Sequence, residues 1–151
     1  MKVDKDFLDN SLRLYSRNER YLKSAEIVGA WIKPTFYIPF SKNDSGKLTR
    51  FEVDICSKQA VQTLIANLIE IGSIKGLEDL RVYGFLEILE YGRRTQFKTR
   101  LRKKGSIDTK DVFYGEFKLN NIVVEGEICR SSFKFNLEDY VGNGQFDFKI
   151  D

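Results

Sequence analysis

Histidine is absent from this 151-residue chain. That removes Ser-His-Asp and Cys-His catalysis and any zinc site built on imidazole. General acid–base chemistry here must use Asp, Glu, Tyr, Lys or water. Cysteine is scarce: Cys56 and Cys129 stand alone, with no C-x-x-C spacing. Both lie in apolar patterns, so buried free thiols are expected rather than a bridge or a metal site. Proline occurs only at positions 34 and 39, where each marks an edge, a bend or a strand end. No apolar run approaches the roughly 18 residues of a membrane span. The first ten residues, MKVDKDFLDN, contain no apolar signal core, so a cytoplasmic protein is expected. The net charge of +3 is too small to argue for nucleic acid, and no such partner is expected.

What is present suits one globular domain spanning 1–151. Hydrophobic residues make up 42% and charged residues 31%, unlike a disordered chain. A chain of this length buries roughly two-thirds of its unfolded surface and needs no staple. The 13% aromatic content, mostly Phe and Tyr, favours sheet.

Helical spacing of Phe7, Leu8, Ser11, Leu12 and Tyr15 predicts a helix over 6–15, with Asp4 as its cap. Strand-like composition follows from Ala25 to Phe40. Ser41–Lys47 is polar and turn-rich and predicts a loop. The strongest helix signal is Val53, Cys56, Ala60, Val61, Leu64, Ile65, Leu68 and Ile69, with Gly72 placed to stop it. Its other face carries Gln59, Gln62, Thr63 and Asn67, so it is expected to be covered on most sides. Beyond it, 81–91 and 95–103 read as strands joined across Gly92-Arg93-Arg94. Val112–Leu119 alternates, Asn120-Asn121 is a turn candidate, 122–135 continues as strand, and 142–151 reads as a loop with an edge strand. Consecutive antiparallel strands need an apolar cover, and the long helix is the element able to supply it. The expected class is α+β: an antiparallel sheet wrapped around a long central helix, the hotdog pattern. Such a unit leaves a sheet edge open, so a homodimer or higher homo-oligomer is expected.

Three stretches carry a resemblance. Leu12-Arg13-Leu14-Tyr15-Ser16 followed by Arg20-Tyr21-Leu22 is one. Phe51-Glu52-Val53 with Cys56 and Gln59 is the second, and Leu101-Arg102-Lys103-Lys104 leading into 112–119 the third. Together they resemble the fatty acyl-CoA thioesterase family, the FcoT-like hotdog proteins. The resemblance implies an acyl thioester substrate on coenzyme A or acyl carrier protein, no separate cofactor and no metal. The helix N-terminus would face the thioester carbonyl, and the acyl chain would lie in an apolar tunnel between helix and sheet, often at a dimer seam. Some relatives look like enzymes that add glycine across an enoyl-acyl-carrier-protein thioester on the route to isonitrile lipids. Where the family has an Asn near the helix entrance, this chain has Thr49.

Each candidate residue has a functional and a plain reading. Tyr15 either hydrogen-bonds the thioester or a water, or simply packs its ring. Glu52 and Asp54 either act as base on water or complement the helix dipole. Gln59 either orients a carbonyl or satisfies backbone groups. Thr49 and Ser57 are hydroxyls that either position substrate or serve the strand and the helix start. Arg20 and Arg50 are the cations nearest the helix entrance and would clamp a glycine carboxylate. The basic run Arg93, Arg94, Lys98, Arg100, Arg102, Lys103 and Lys104 either attracts carrier phosphates and acidic surfaces or is a solvated strand and turn. A non-catalytic acyl- or lipid-binding module is the alternative of a different class.

Overall fold

From Gln59 to Ile69 every residue of the long helix is buried, polar ones included. This helix, α2 (Arg50–Glu70), is therefore a central rod and not a surface element. Local chemistry fixes both of its ends. Thr49 caps the start through a reciprocal capping box with Glu52. Gly72 adopts φ +67° after the end, and the N–H groups of Gly72 and Ser73 donate to the carbonyls of Ile69 and Leu68. That pairing is a Schellman stop, which requires the left-handed conformation glycine adopts freely.

The computed structural model describes residues 1–38, 46–91 and 95–150. Around α2 run α1 (Lys5–Ser11), a 3₁₀ turn (Arg17–Glu19), β1 (Leu22–Val28) and β2 (Trp31–Phe36) before it. After it come α3 (Val82–Glu90), β3 (Thr95–Lys103), β4 (Phe113–Glu125), β5 (Ile128–Leu137) and β6 (Tyr140–Lys149). The six strands form one sheet in the order β1-β2-β4-β5-β6-β3, and every pairing is antiparallel. The inner face is built of phenyl rings: Phe117 stacks on Phe135 at 5.3 Å and Phe97 on Phe133 at 5.7 Å. Gly142 and Gly144 of β6 leave room for them. A Cβ on Gly144 would lie 2.3 Å from Phe133 Cζ. The N-terminal residues cover the β1 edge through Val3 N–H to the Ala25 carbonyl (2.8 Å) and Ile27 N–H to the Met1 carbonyl (2.8 Å). β3 ends the sheet on the other side.

Several sequence expectations are corrected. Residues 81–91 are not a strand: Val82, Phe85 and Leu86 are buried on one face of helix α3. The β-branched and aromatic content of this stretch suggested sheet, but the i, i+3, i+4 spacing decides. No hairpin therefore joins it to β3, which pairs with β6; residues 92–94 lie outside the described ones. Asn120-Asn121 is not a turn. It sits within β4 at a register shift, and the chain reverses at Gly126, with φ +62°. Residues 142–149 are not a loop with an edge strand, because β6 lies between β5 and β3. Helix α1 ends at Ser11 rather than Tyr15, and Asp4 caps it by accepting from Asp6 N–H (2.7 Å). Pro34 is buried inside β2, opposite Ala25 on the β1 side. The β2–β4 ladder has no pairs at 33 and 34, which accommodates the missing donor. Pro39 and Ser41–Ser45 lie outside the described residues. Cys56 and Cys129 are buried and unbridged. Among the described residues, no helix is long and apolar enough to cross a membrane.

Candidate active site at the entrance of the central helix

Two neighbouring carboxylates at the start of α2 take opposite roles. Residues two apart on a helix do not share a face, so Glu52 and Asp54 point different ways. Glu52 is 5% exposed, and its Oε1 accepts from Thr49 N–H (2.9 Å) and from Thr49 Oγ1 (3.0 Å). Thr49 Oγ1 in turn accepts from Glu52 N–H (3.2 Å). Thr49 and Glu52 thus hold the helix entrance. Asp54 lies on the accessible side with 44% of its side chain exposed. Thr99 Oγ1 of β3 donates to it in a short hydrogen bond, and Arg50 Nη1 donates to the same oxygen at 3.0 Å. Arg50 Nη2 donates to the Thr99 carbonyl (2.9 Å) and hydroxyl (2.7 Å). Arg50, Asp54 and Thr99 form one cluster between the first turn of α2 and the last strand of the sheet. The backbone N–H groups of Arg50 and Phe51, at the first two helical positions, have no partner in the helix's own ladder.

A second group ties the segment before β1 to the helix. Gln59, fully buried, accepts through Oε1 from Tyr21 N–H (3.0 Å) and Leu22 N–H (3.1 Å) and donates from Nε2 to the Glu19 carbonyl (2.6 Å). Its amide is fully engaged with backbone. Ser57 donates to the Val53 carbonyl (2.8 Å) inside α2. Arg20 Nε donates to the Tyr15 carbonyl (3.0 Å), bringing those two residues together through backbone. Burial, and then the charge of Glu19, pushes the Tyr15 phenol well above its ordinary value, so it is a neutral group. Tyr21 is also raised, by burial first and then by the charges of Glu52, Cys56 and Glu19.

The candidates thus fall into an accessible set, Arg50 and Asp54, and a set built into the frame, Thr49, Glu52, Ser57 and Gln59. Thr99 and Tyr21 were not singled out by sequence reasoning. Tyr21 lies in the quoted Arg20-Tyr21-Leu22 stretch, and Thr99 is one of the inward positions in the β3 alternation. The basic run divides away from this cluster. Lys98, Arg100 and Arg102 alternate with Thr99 and Leu101, so they face the outer side of the sheet; Arg93 and Arg94 lie outside the described residues. Among the described residues, no group of three or more Cys, Asp or Glu is placed to hold a metal ion.

No family model matches the sequence, and no curated protein matches it. Solved structures do match the fold. A hypothetical thioesterase from Streptococcus pneumoniae TIGR4, determined with coenzyme A, superposes with a TM-score of 0.51 at 12% identity, covering 97% of this chain and 95% of that one. The dehydratase heterocomplex ApeI:P from Xenorhabdus doucetiae gives 0.59 at 10% identity over 95% and 91%. The dehydratase domain of RzxB from Pseudomonas fluorescens gives 0.52 at 10% identity over 99% of this chain and 49% of that one, so this chain spans about half of it. At such identities the likeness speaks to architecture: the chain has the hotdog fold, an antiparallel six-stranded sheet wrapped around a central helix.

Proposed function

We propose that this chain is an acyl-thioester enzyme that hydrolyses fatty acyl-CoA or acyl-carrier-protein thioesters, related to the FcoT-like hotdog proteins. The observation that carries the reading is Asp54: a half-exposed carboxylate held by Thr99 and Arg50 beside the open first turn of α2. The thioester carbonyl would lie against the N–H groups of Arg50 and Phe51, which would stabilise the oxyanion. Asp54 would accept a proton from the attacking water; the C–O bond forms, the C–S bond breaks, and the thiolate leaves to be protonated by solvent. Thr99 and Arg50 would orient Asp54. Glu52 and Thr49 would act by keeping the helix entrance in place, Ser57 and Gln59 by holding the body of α2, and Tyr15 and Arg20 would take no direct part. The pneumococcal structural neighbour, determined with coenzyme A, supports a thioester carrier as substrate. The terminal position of β3 in the sheet supports a homodimer, with a second copy meeting this edge beyond the Thr99 carbonyl that Arg50 occupies.

A binding-only module is the second reading, favoured by the engagement of Glu52, Ser57 and Gln59 within the fold. A thioester panel followed by thiol release separates the two. Wild type is expected to turn over at least one acyl thioester, and Asp54→Asn to lose about 10²- to 10⁴-fold, the usual contribution of a positioned base. Glu52→Gln, which keeps a capping-box residue at that position, is expected to retain turnover. Binding of long-chain acyl-CoA with the thioester intact would establish the module instead. A glycine-dependent mass gain on an enoyl carrier thioester, without thiol release, would establish addition in place of hydrolysis.

A further inference from the structure

The cations of β3 are not alone on the outer face of the sheet. Strand register sets Trp31 opposite Lys118, Lys118 opposite Lys134, Lys134 opposite Asn143, and Asn143 opposite Arg100. This is one straight row across five strands, about 19 Å long at about 4.8 Å per strand. Lys98 and Arg102 flank Arg100 on the same face. Lys98, Arg100, Arg102, Lys118 and Lys134 are all exposed, and none is in an ion pair with a described residue. Glu116 is the carboxylate that lines the same groove. Five cations against one acid exceed the +3 of the whole chain. The row also lies along a depression. A groove of ≈ 630 Å³ bordered by Arg100, Lys134 and Gln145 shares Lys134 and Asn143 with a second of ≈ 290 Å³ that reaches Trp31 and Lys118.

Stability does not account for this arrangement. Like charges directly opposite across a ladder, as Lys118 and Lys134 are, cost stability. A protein partner fits poorly, because interface cores are aromatic or apolar and depleted of lysine. Lysine and arginine interleaved with Asn120, Ser132, Asn143 and Gln145 are the side chains that contact phosphate and sugar oxygens. The row is too long for a single phosphate group, and it ends at the Trp31 indole, over which Lys33 Nζ lies at 4.6 Å; a base stacking on that ring face takes the place of the ammonium. We infer that the outer sheet face binds a phosphodiester chain in single-stranded form. The composition alone gave no such expectation, because Lys118 and Lys134 join the β3 cations only through sheet register.

Trp31 is the single tryptophan of the chain and so reports on the groove directly. Titration with a short oligothymidylate should quench its fluorescence. With four to five phosphates neutralised, the salt dependence for a single strand should have a slope of about −3 in log K against log salt. The double variant Lys118→Ser/Lys134→Ser, which leaves β3 and the α2 entrance untouched, should weaken binding about tenfold or more and bring the slope to about −2. Both positions are exposed, so a thermal melt should show the variant folded. Absence of quenching at low salt, a slope near zero, or equal affinity in the double variant would overturn the inference. So would equal quenching by polyglutamate, which would assign an acidic protein instead, or tighter binding of a duplex. None of these outcomes depends on thioester turnover.

Discussion

Replacing Gln59 by Leu tests whether this residue serves the frame or the substrate. The substitution keeps roughly the same volume inside α2 but removes both ends of the amide. Tyr21 and Leu22 are buried, and their N–H groups donate to Gln59 Oε1. Each buried donor left unpaired costs about 1–3 kcal/mol. The Glu19 carbonyl, at an exposed residue, can turn to water and adds little. The sum is about 2–6 kcal/mol, a large share of the 5–15 kcal/mol that holds a typical domain. For a chain of 151 residues the unfolding entropy near the midpoint is about 0.3 kcal/mol/K, so a loss of about 4 kcal/mol lowers Tm by about 12 °C. Calorimetry on wild type and Gln59→Leu measures it. A Tm within about 2 °C of wild type would refute the assignment of Gln59 as the strut between α2 and the start of β1.

Other perturbations give equally definite outcomes. Gly144→Ala places a methyl 2.3 Å from Phe133 Cζ and 2.5 Å from the Lys98 carbonyl oxygen, a backbone atom that cannot swing aside; overpacking should lower Tm by at least about 3 °C in a thermal melt. Stability should fall above about pH 9, because groups with raised folded values stay protonated in the native state while the unfolded chain ionises. Burial pushes Cys129 up to about 12 and also raises Cys56, Tyr15 and Tyr21, so the unfolded state binds fewer protons there and the slope of stability with pH is negative. Urea midpoints at pH 8 and pH 10.5 check it, and a rising midpoint would contradict it. Light scattering after size exclusion should give about twice the 17.6 kDa chain mass, and the monomer mass would contradict pairing through β3.

The central helix was legible in the sequence because apolar spacing and a stop at Gly72 agree; its start was not, since Thr49 and Glu52 form a capping box that spacing from Val53 onward does not reveal. The β4 alternation of Phe113, Gly115, Phe117 and Leu119 was legible for the same reason, with all four buried. Helix α3 was not, because Val82-Tyr83 and Phe85 have strand propensity and only packing against the core settles the period. The position of β6 was hidden because Gly142 and Gly144 look like loop residues. They are glycines because Phe133 and Phe135 fill the space a side chain would need. At the site, sequence spacing placed Glu52 and Asp54 at the helix entrance but could not say which is accessible. That depends on Thr99, 45 residues further on, and on the side from which β3 closes the sheet. The outer-face row likewise depends on strand register, which local sequence does not encode.

In the proposed reaction a ligand carbonyl meets the first turn of α2 beside Asp54. Backbone amide shifts of the labelled protein, recorded with a 2-oxoalkyl-CoA thioether that keeps a carbonyl one methylene from the sulfur and cannot be hydrolysed, test this most directly. The largest changes are expected at Arg50, Phe51, Asp54 and Thr99. Changes confined to Lys118, Lys134 and their neighbours on the outer face, with the α2 entrance unmoved, would contradict it.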